Sequence, residues 1–111
     1  MSSPRTISVQ DALAQLPESA KERSIALFEH GTLRVKLYAP RGLDPQTPHE
    51  QDEIYVVISG TGEFVSEGER RKIAPHDFIF VRAGIVHRFE NFSDDLALWV
   101  FFYGPNGGEG R

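Results

Sequence analysis

The amino-acid sequence predicts an all-β fold, a double-sheet jelly-roll barrel preceded by one short helix. The chain has 111 residues, which suits one compact domain. About eight short segments rich in β-branched and aromatic residues follow one another, separated by turns that contain glycine or proline. Many short strands at regular spacing, without an internal repeat, are typical of a sandwich or barrel.

The N-terminal part, residues 1–22, is predicted to be an arm and a short helix. Ser8 can cap this helix, and an acidic residue three positions later falls in the first turn, where it is favourable. Pro17 ends the helix. The barrel is predicted to span residues 23–104, and a flexible glycine-rich tail, residues 105–111, follows it.

Two strands and a long loop form the first half of the predicted barrel. Residues 25–28 are the first strand. Residues 32–38 alternate between aliphatic side chains and the charged Arg34 and Lys36, as a half-buried strand does. These two cations and Arg82 are either solubility charges on an outer face or, if one points into the barrel mouth, ligands for a carboxylate or phosphate. Prolines make residues 39–48 a loop.

The second half of the barrel is predicted from dense apolar runs that glycines and polar turns interrupt. These strands are residues 54–58, 63–66, 70–73, 78–81, 86–90 and 96–103. Residues 54–58 and 96–103 are apolar on both faces. The barrel covers one face, so the other predicts a partner subunit, most simply in a two-fold homodimer.

Composition and charge exclude several classes of function. The net charge is −4 and the basic residues are scattered, so we expect no nucleic-acid partner. The chain has no cysteine, which excludes disulfides and thiolate chemistry. Neither a signal peptide nor an apolar run long enough to cross a bilayer is recognisable, so we expect a cytoplasmic protein with no membrane partner.

Three residues have the chemistry and spacing of a metal site. His49 and Glu53 lie four positions apart, and strand alternation would place both on one face with Gln51 between them as an additional candidate ligand. The same alternation predicts that Glu50 and Asp52 point outward as solvent-exposed charges. His87 lies on a later strand. Two imidazoles and one carboxylate suit a divalent transition metal, Fe, Mn, Ni or Zn, and leave positions open for a small-molecule ligand.

These residues resemble the two sequence motifs of the cupin superfamily. The first motif is a glycine, five residues, His-x-His, three or four residues, a glutamate, six residues and a glycine. His49, Glu53 and Gly60 match it, Thr47 stands where the first histidine is expected, and Gly42 lies one residue too close. Family members commonly use three histidines and one glutamate as metal ligands.

The second motif is a glycine, five residues, Pro-x-Gly, two residues, a histidine, three residues and an asparagine. Gly84, His87 and Asn91 match, whereas His76 stands at the leading glycine and Arg82 at the proline. The resemblance implies a small single-domain cupin barrel whose metal ligands are His49, Glu53 and His87. It also implies that the aspartate after His76 braces a turn.

Each candidate ligand also has an ordinary structural interpretation. Taken alone, His49 is a loop residue, Glu53 is a solvated strand-edge residue and His87 is a satisfied interior histidine. His30 and His76 fit surface turns. The aromatic residues fit the core, although one or two could line a ligand pocket. The three candidates together, at motif spacing, favour the metal site.

Two functions remain open from sequence. One is a metal-dependent enzyme on a small molecule, an oxygenase with Fe(II), or an isomerase, epimerase or decarboxylase with another metal. In that case Tyr55 is a candidate proton donor, and no other catalytic residue is assigned. The alternative is a non-catalytic barrel that binds a sugar or small acid and has a degraded metal site. A regulatory partner is disfavoured because the single short helix cannot form a DNA-binding helix pair.

Overall fold

The computed structural model describes residues 5–17 and 23–110, so parts of the predicted N-terminal arm and its link to the barrel lie outside the described residues. Helix α1 spans Val9–Ala14 and begins as predicted, because the Ser8 hydroxyl accepts a hydrogen bond of 3.0 Å from the backbone N–H of Asp11. Its Ala12 is fully buried. In the described ranges, no helix is long and apolar enough to cross a membrane.

Eight strands follow, and they confirm the all-β prediction. They are β1 (Ser24–His30), β2 (Leu33–Tyr38), β3 (Asp52–Ser59), β4 (Gly62–Ser66), β5 (Glu69–Ile73), β6 (Phe78–Val81), β7 (His87–Glu90) and β8 (Ala97–Tyr103). A five-stranded sheet has the order β1-β2-β8-β3-β6, and a three-stranded sheet has the order β5-β4-β7. All the pairings are antiparallel. The two sheets form a jelly-roll sandwich.

The main core lies between the two sheets. From the larger sheet, Tyr55, Val57 and Leu98 are almost completely buried, and Phe89 comes from the smaller sheet. The rings of Tyr55 and Phe89 meet edge to face, with their centroids 5.0 Å apart. Because alternate residues of a strand share a face, Glu53 points in the same direction as Tyr55 and enters the space between the sheets.

A second apolar cluster lies on the outer face of the larger sheet, where α1 covers Leu37. Aliphatic residues of β2 therefore face outward under the helix, and the opposite face carries Arg34 and Lys36. Register shows this directly, since Arg34 pairs with Phe102 of β8, and Phe102 pairs with Glu53 of β3. Paired residues share a face, so Arg34 lies on the same face of the sheet as Glu53. Of the two placements predicted for Arg34, an outer face or the mouth of the barrel, this register favours the second.

The turns around the barrel carry the left-handed backbone that the motif glycines predict. Gly60 has φ +83° and Gly84 has φ +81°. His76, which replaces the leading glycine of the second motif, adopts the same region at φ 79°. As expected, Asp77 braces this turn, because its carboxylate accepts a hydrogen bond of 2.9 Å from the N–H of Ala74.

The described part of the glycine-rich tail lies against the rest of the chain. The N–H of Gly107 donates to the carbonyl of Glu50 at 2.6 Å, and the N–H of Glu109 donates to the carboxylate of Asp52 at 2.9 Å. The flexibility predicted for residues 105–111 stays a prediction. The hydrogen bonds show that residues 107–109 are docked on the segment that leads into β3.

Candidate metal centre

The three predicted ligands meet between the sheets, near one end of the sandwich. His49 lies in the loop before β3, Glu53 is in β3, and His87 is the first residue of β7. The Nε2 atom of His87 is 3.3 Å from Oε1 of Glu53, and Nε2 of His49 is 3.9 Å from the same oxygen. One ligand atom from each residue lies within 4.8 Å of the others.

Backbone hydrogen bonds hold the two motifs against each other. The N–H of Gly84 donates to the carbonyl of His49 at 2.8 Å, which ties the loop before β3 to the turn before β7. The His49 ring packs edge-on against Phe102, with centroids 4.9 Å apart, and lies 5.5 Å from the His87 ring. The side chain of His49 is 30% exposed, so the site opens to solvent beside this residue.

The centre contains a buried carboxylate oxygen that lacks a hydrogen-bond partner. Glu53 is 1% exposed, and in the described part of the chain its Oε1 is the buried side-chain oxygen without a hydrogen-bond partner. Burial of a carboxylate oxygen without a partner is unfavourable. Nε2 of His87 approaches this oxygen at 3.3 Å, but the contact is not a well-aligned hydrogen bond.

His87 is held in an orientation that suits metal binding. Its Nδ1 lies 2.9 Å from the carbonyl of Ile85, so in the neutral ring Nδ1 carries the proton and Nε2 offers its lone pair to the site. Burial lowers the pKa of His87, but the Glu53 carboxylate and the Ile85 carbonyl outweigh burial and leave that pKa above its ordinary value. The same surroundings that attract a proton would attract a metal cation.

Tyr55, the candidate proton donor, lies at the floor of the site and is 0% exposed. Its hydroxyl is 3.0 Å from Nε2 of His87 and 2.7 Å from Oε1 of Gln46. Burial, reinforced by the negative charge of Glu53, raises the pKa of Tyr55 well above its ordinary value. Tyr55 is therefore a protonated phenol at neutral pH.

Asp44 and Gln46 are site residues that the sequence reasoning missed. Asp44 is 6% exposed and accepts hydrogen bonds from the Tyr38 hydroxyl, from the Phe89 N–H at 2.7 Å and from the Gln46 side-chain amide at 2.8 Å. Oε1 of Gln46 then lies 3.3 Å from Nε2 of His49. In the sequence both residues look like polar members of a proline-rich loop, and loops have no period from which burial can be predicted.

Gln51, the additional candidate ligand, is directed elsewhere. Its amide donates to the carbonyls of Thr32 at 3.1 Å and Gly104 at 2.9 Å. Strand alternation does not extend back to His49, because β3 begins only at Asp52 and the chain bends at residues 50 and 51. The prediction that Gln51 shares the face of His49 is therefore wrong.

The prediction for Asp52 is also wrong, whereas Glu50 is exposed as predicted. Asp52 is 4% exposed and accepts hydrogen bonds of 2.9 Å from the N–H groups of Ala83 and Glu109. These two donors, Glu109 first, lower the pKa of Asp52 below its ordinary value despite its burial. Asp52 thus anchors the docked tail.

Thr47, at the position of the missing histidine, is exposed.

The residues present fit a divalent metal ion. Ligands with bonds of about 2.1 Å lie about 3.0 Å apart when they are adjacent in an octahedron and about 3.4 Å apart in a tetrahedron. The separation of 3.3 Å between Glu53 Oε1 and His87 Nε2 lies between these values. His49, which is 3.9 Å from the same oxygen and within 4.8 Å of the His87 ligand atom, would move closer by a side-chain rotation. An ion there would also give the orphaned oxygen of Glu53 its partner.

A comparison with protein-family models identifies the family. The cupin domain model matches residues 34–103, which is more than half of the chain and contains all three candidate ligands. The chain is a member of the cupin family. This membership confirms the resemblance that the two sequence motifs carried.

Two relatives of this cupin are themselves uncharacterized proteins. One, from Streptomyces coelicolor, is 39% identical over 62 residues, and the match spans 56% of this chain and 59% of the relative. The other, from Aquifex aeolicus, is 27% identical over 103 residues and covers 90% of this chain and 85% of the relative. The chain thus spans less than two thirds of the Streptomyces relative.

Solved structures support the fold over nearly the whole chain. A Klebsiella pneumoniae protein with a double-stranded β-helix domain has a TM-score of 0.74 and 21% identity, covering 95% of both chains. A DMSP lyase from Ruegeria pomeroyi has a TM-score of 0.67 and 23% identity, covering 89% of this chain and 55% of that one. A proposed mannose-6-phosphate isomerase from Ralstonia eutropha has a TM-score of 0.65 and 24% identity, covering 91% of this chain and 100% of that one.

Proposed function

We propose that this cupin binds one divalent transition metal ion through His49, Glu53 and His87 and catalyses a proton transfer on a small carbonyl or hydroxyl compound. The observation that carries the proposal is the convergence of these three side chains around the orphaned Glu53 oxygen. When bound, the ion would act as a Lewis acid that polarises a carbonyl or hydroxyl oxygen. The resulting activity would be that of a metal-dependent isomerase or lyase.

Tyr55 favours proton transfer over oxygen activation. A buried phenol lies within 3.0 Å of a candidate ligand atom of His87, and it is held in its protonated form. Such a group can donate its proton to a substrate oxygen as negative charge develops there, which is one half of an isomerisation or elimination. The proton lost from the substrate carbon would pass to water at the solvent-exposed side of the centre, beside His49. The oxygenase alternative assigns no role to this hydroxyl.

Two structural neighbours are compatible with this class of reaction. One is described as a DMSP lyase and the other as a proposed mannose-6-phosphate isomerase. These descriptions name a lyase and an isomerase, the two classes of activity that the proposal includes. At identities of 23% and 24%, these neighbours support the class of reaction and carry no information on the substrate of this cupin.

Arg34 favours an anionic substrate. Its guanidinium carbon lies 5.2 Å from the centre of the Phe102 ring, and that ring packs against His49. Arg34, Phe102 and Glu53 form one cross-strand row on the inner face. A carboxylate or phosphate held by Arg34 would therefore lie beside the metal centre, at its solvent-exposed side.

Metal analysis of the purified protein tests the first half of the proposal. Protein prepared without chelator and loaded in turn with Mn, Fe, Ni and Zn should retain about one ion per chain for at least one metal. His87→Ala should retain less than a tenth of that amount, because an open three-ligand site loses one ligand. His30→Ala, an exposed histidine outside the site, should behave like the wild type. A wild-type chain that retains none of these metals contradicts the proposal.

Solvent exchange tests the second half. The metal-loaded protein is incubated in D₂O with aldoses, ketoses, sugar phosphates and 2-hydroxy or 2-keto acids, and deuterium incorporation is followed by NMR. Tyr55→Phe should keep the metal and lose most of the exchange, since only the phenolic O–H is removed. If the loaded protein exchanges no compound in this panel, the proton-transfer activity is contradicted.

A non-catalytic ligand-binding cupin is the second candidate. It is favoured by Thr47, which occupies the position of the missing histidine and is exposed rather than turned into the site. Under this alternative the barrel binds a sugar or small acid without turning it over. Calorimetric binding of a compound from the same panel to the metal-free chain would support it.

A further inference from the structure

The geometry points to Gln46 as a fourth protein ligand of the metal, supplied by the residue next to the position where the motif has its first histidine. This inference rests on the proposed metal site and extends it. Oε1 of Gln46 is 3.3 Å from Nε2 of His49, the same distance that separates His87 Nε2 from Glu53 Oε1. The Tyr55 hydroxyl also lies 2.7 Å from this oxygen and 3.0 Å from Nε2 of His87, so the Gln46 oxygen adjoins the group of candidate ligand atoms.

The loop geometry explains why Gln46, and not Thr47, faces the site. Residues 45 and 48 are both prolines, so the segment between them cannot continue as a regular central strand, and alternation does not apply to it. The N–H of Gln46 approaches the carboxylate of Asp44 at 3.3 Å, which folds the loop over the centre. Thr47 is then exposed.

Asp44 fixes which end of the Gln46 amide points at the metal. A carboxylate only accepts hydrogen bonds, so the amide NH₂ must face Asp44, and this contact is 2.8 Å long. The carbonyl oxygen must therefore face the centre. Asp44 is itself held by the Phe89 N–H at 2.7 Å and by the Tyr38 hydroxyl. The orientation of Gln46 is thus imposed by buried groups that do not depend on the metal.

The second lone pair of the Gln46 oxygen has a different function. The Tyr55 hydroxyl donates to Oε1 at 2.7 Å, and a carbonyl oxygen has two lone pairs, so it can accept this bond and still face the metal position. A metal-bound amide would then connect the ion to the proton donor. Gln46 is accordingly both a ligand and the residue that positions the Tyr55 hydroxyl.

The chemistry of the donor selects the metal. An amide oxygen is a neutral, hard ligand, and replacing one imidazole by it shifts the set from three nitrogens and one oxygen to two of each. Oxygen donors suit Mn²⁺, whereas imidazole suits Zn²⁺, Ni²⁺ and Fe²⁺. We therefore expect the discrimination of Zn²⁺ over Mn²⁺ to be smaller in the wild type than in a variant that restores an imidazole.

Metal titration of matched variants tests the assignment. Wild type, Gln46→Ala, Gln46→Glu and Gln46→His are titrated with Mn²⁺, Zn²⁺ and Co²⁺ by calorimetry, and the visible d–d spectrum of the Co²⁺ form is recorded. Gln46→Ala should weaken Co²⁺ binding by about 10–100-fold and change the spectrum, because one ligand is lost. Gln46→Glu, which keeps an oxygen at the same reach, should bind at least as tightly as the wild type. Gln46→His should increase the preference for Zn²⁺ over Mn²⁺.

Gln51→Ala is the matched control, because the amide of Gln51 is bound to the carbonyls of Thr32 and Gly104 away from the centre. It should leave the affinity and the spectrum unchanged. Gln46→Ala with wild-type affinity and an unchanged Co²⁺ spectrum would overturn the assignment while leaving the proposed metal site intact. A wild-type chain that binds no metal would overturn both. Thermal unfolding of each metal-free variant shows whether it is folded.

Discussion

At the scale of single residues, Glu53 is the clearest sign that this fold was shaped around a ligand. A carboxylate that is 1% exposed and leaves one oxygen without a hydrogen bond lowers the stability of the metal-free protein. Such local costs are expected at functional sites, where neighbouring structure holds a group ready for a ligand. Here the group that lowers the stability of the metal-free protein is the carboxylate of Glu53, which would also neutralise part of the charge of a bound ion.

This interpretation predicts opposite effects of Glu53→Gln on the two forms. At a pH well above the pKa of His87, where this ring is neutral, the metal-free variant should be more stable than the metal-free wild type by about 1 kcal/mol. The reason is that a buried carboxylate with one unpaired oxygen is replaced by a neutral amide. Added metal should stabilise the wild type by about 2.7 kcal/mol at a hundredfold excess over Kd. The same metal concentration should stabilise the variant clearly less, because an amide oxygen is a neutral and weaker ligand than a carboxylate.

Urea unfolding with and without metal measures both effects. Glu50→Gln, a change of an exposed neighbouring acid, is the control and should retain the wild-type response to metal. A Glu53→Gln variant that is less stable than the wild type without metal, or that metal stabilises as much as the wild type, would contradict the interpretation.

The sequence predicted which candidate ligands lie together, but it did not predict the residues around them. Motif spacing was sufficient to select His49, Glu53 and His87, and the structure brings them together. It could not select Asp44 or Gln46, because their burial depends on contacts such as the bond from Phe89, which lies 45 positions later in the chain.

At the scale of elements, the strands were predicted within one or two residues, since glycine, proline and alternation are local signals. The errors came where a local rule was extended beyond its element. Gln51 and Asp52 were assigned by strand alternation in a segment where the chain bends before β3 begins. The docking of the tail on Asp52 is a long-range contact that no local pattern predicts.

The turn after β3 gives a test at this scale. Gly60 has φ +83°, and a Cβ there would lie 2.6 Å from the Cα of Leu96 and 2.7 Å from its backbone nitrogen. Gly60→Ala should therefore destabilise the fold by about 3 kcal/mol or more, from backbone strain and a clash with main-chain atoms.

Gly68→Ala separates the two contributions. Gly68 has φ +77° but nothing within 4 Å of the added Cβ, so only the left-handed backbone penalty of about 1–2 kcal/mol applies. Denaturant unfolding at equilibrium gives both values. Equal losses for the two variants would show that the approach of Leu96 does not matter.

At the scale of the whole molecule, the outer face of the five-stranded sheet is the surface whose partner is still to be identified. Register places Val56 opposite Phe78, and Ile54 opposite Phe80, on the side away from the core. Phe78 is 65% exposed and Phe80 is 47% exposed. Large aromatic side chains that share one exposed face with β-branched neighbours favour association. The homodimer stays a prediction, and we expect this face to form its interface.

Light scattering coupled to size exclusion tests the dimer. The wild type should have twice the mass of one chain at micromolar concentration, and Phe80→Glu should have the mass of one chain, because a charge cannot be buried unpaired in an apolar interface. Leu43→Glu, at a 72% exposed loop position, should remain a dimer. A wild type with the mass of one chain at all concentrations would contradict the prediction.

An anomalous scattering map of metal-loaded crystals would show whether one metal ion lies between His49, Glu53 and His87. We expect one strong peak at about 2.0–2.3 Å from Nε2 of both histidines and from Oε1 of Glu53. The peak should be absent in His87→Ala crystals grown in the same way. A metal-loaded protein with no peak between these residues, or with its only peak at another position, would show that the proposed metal site is wrong.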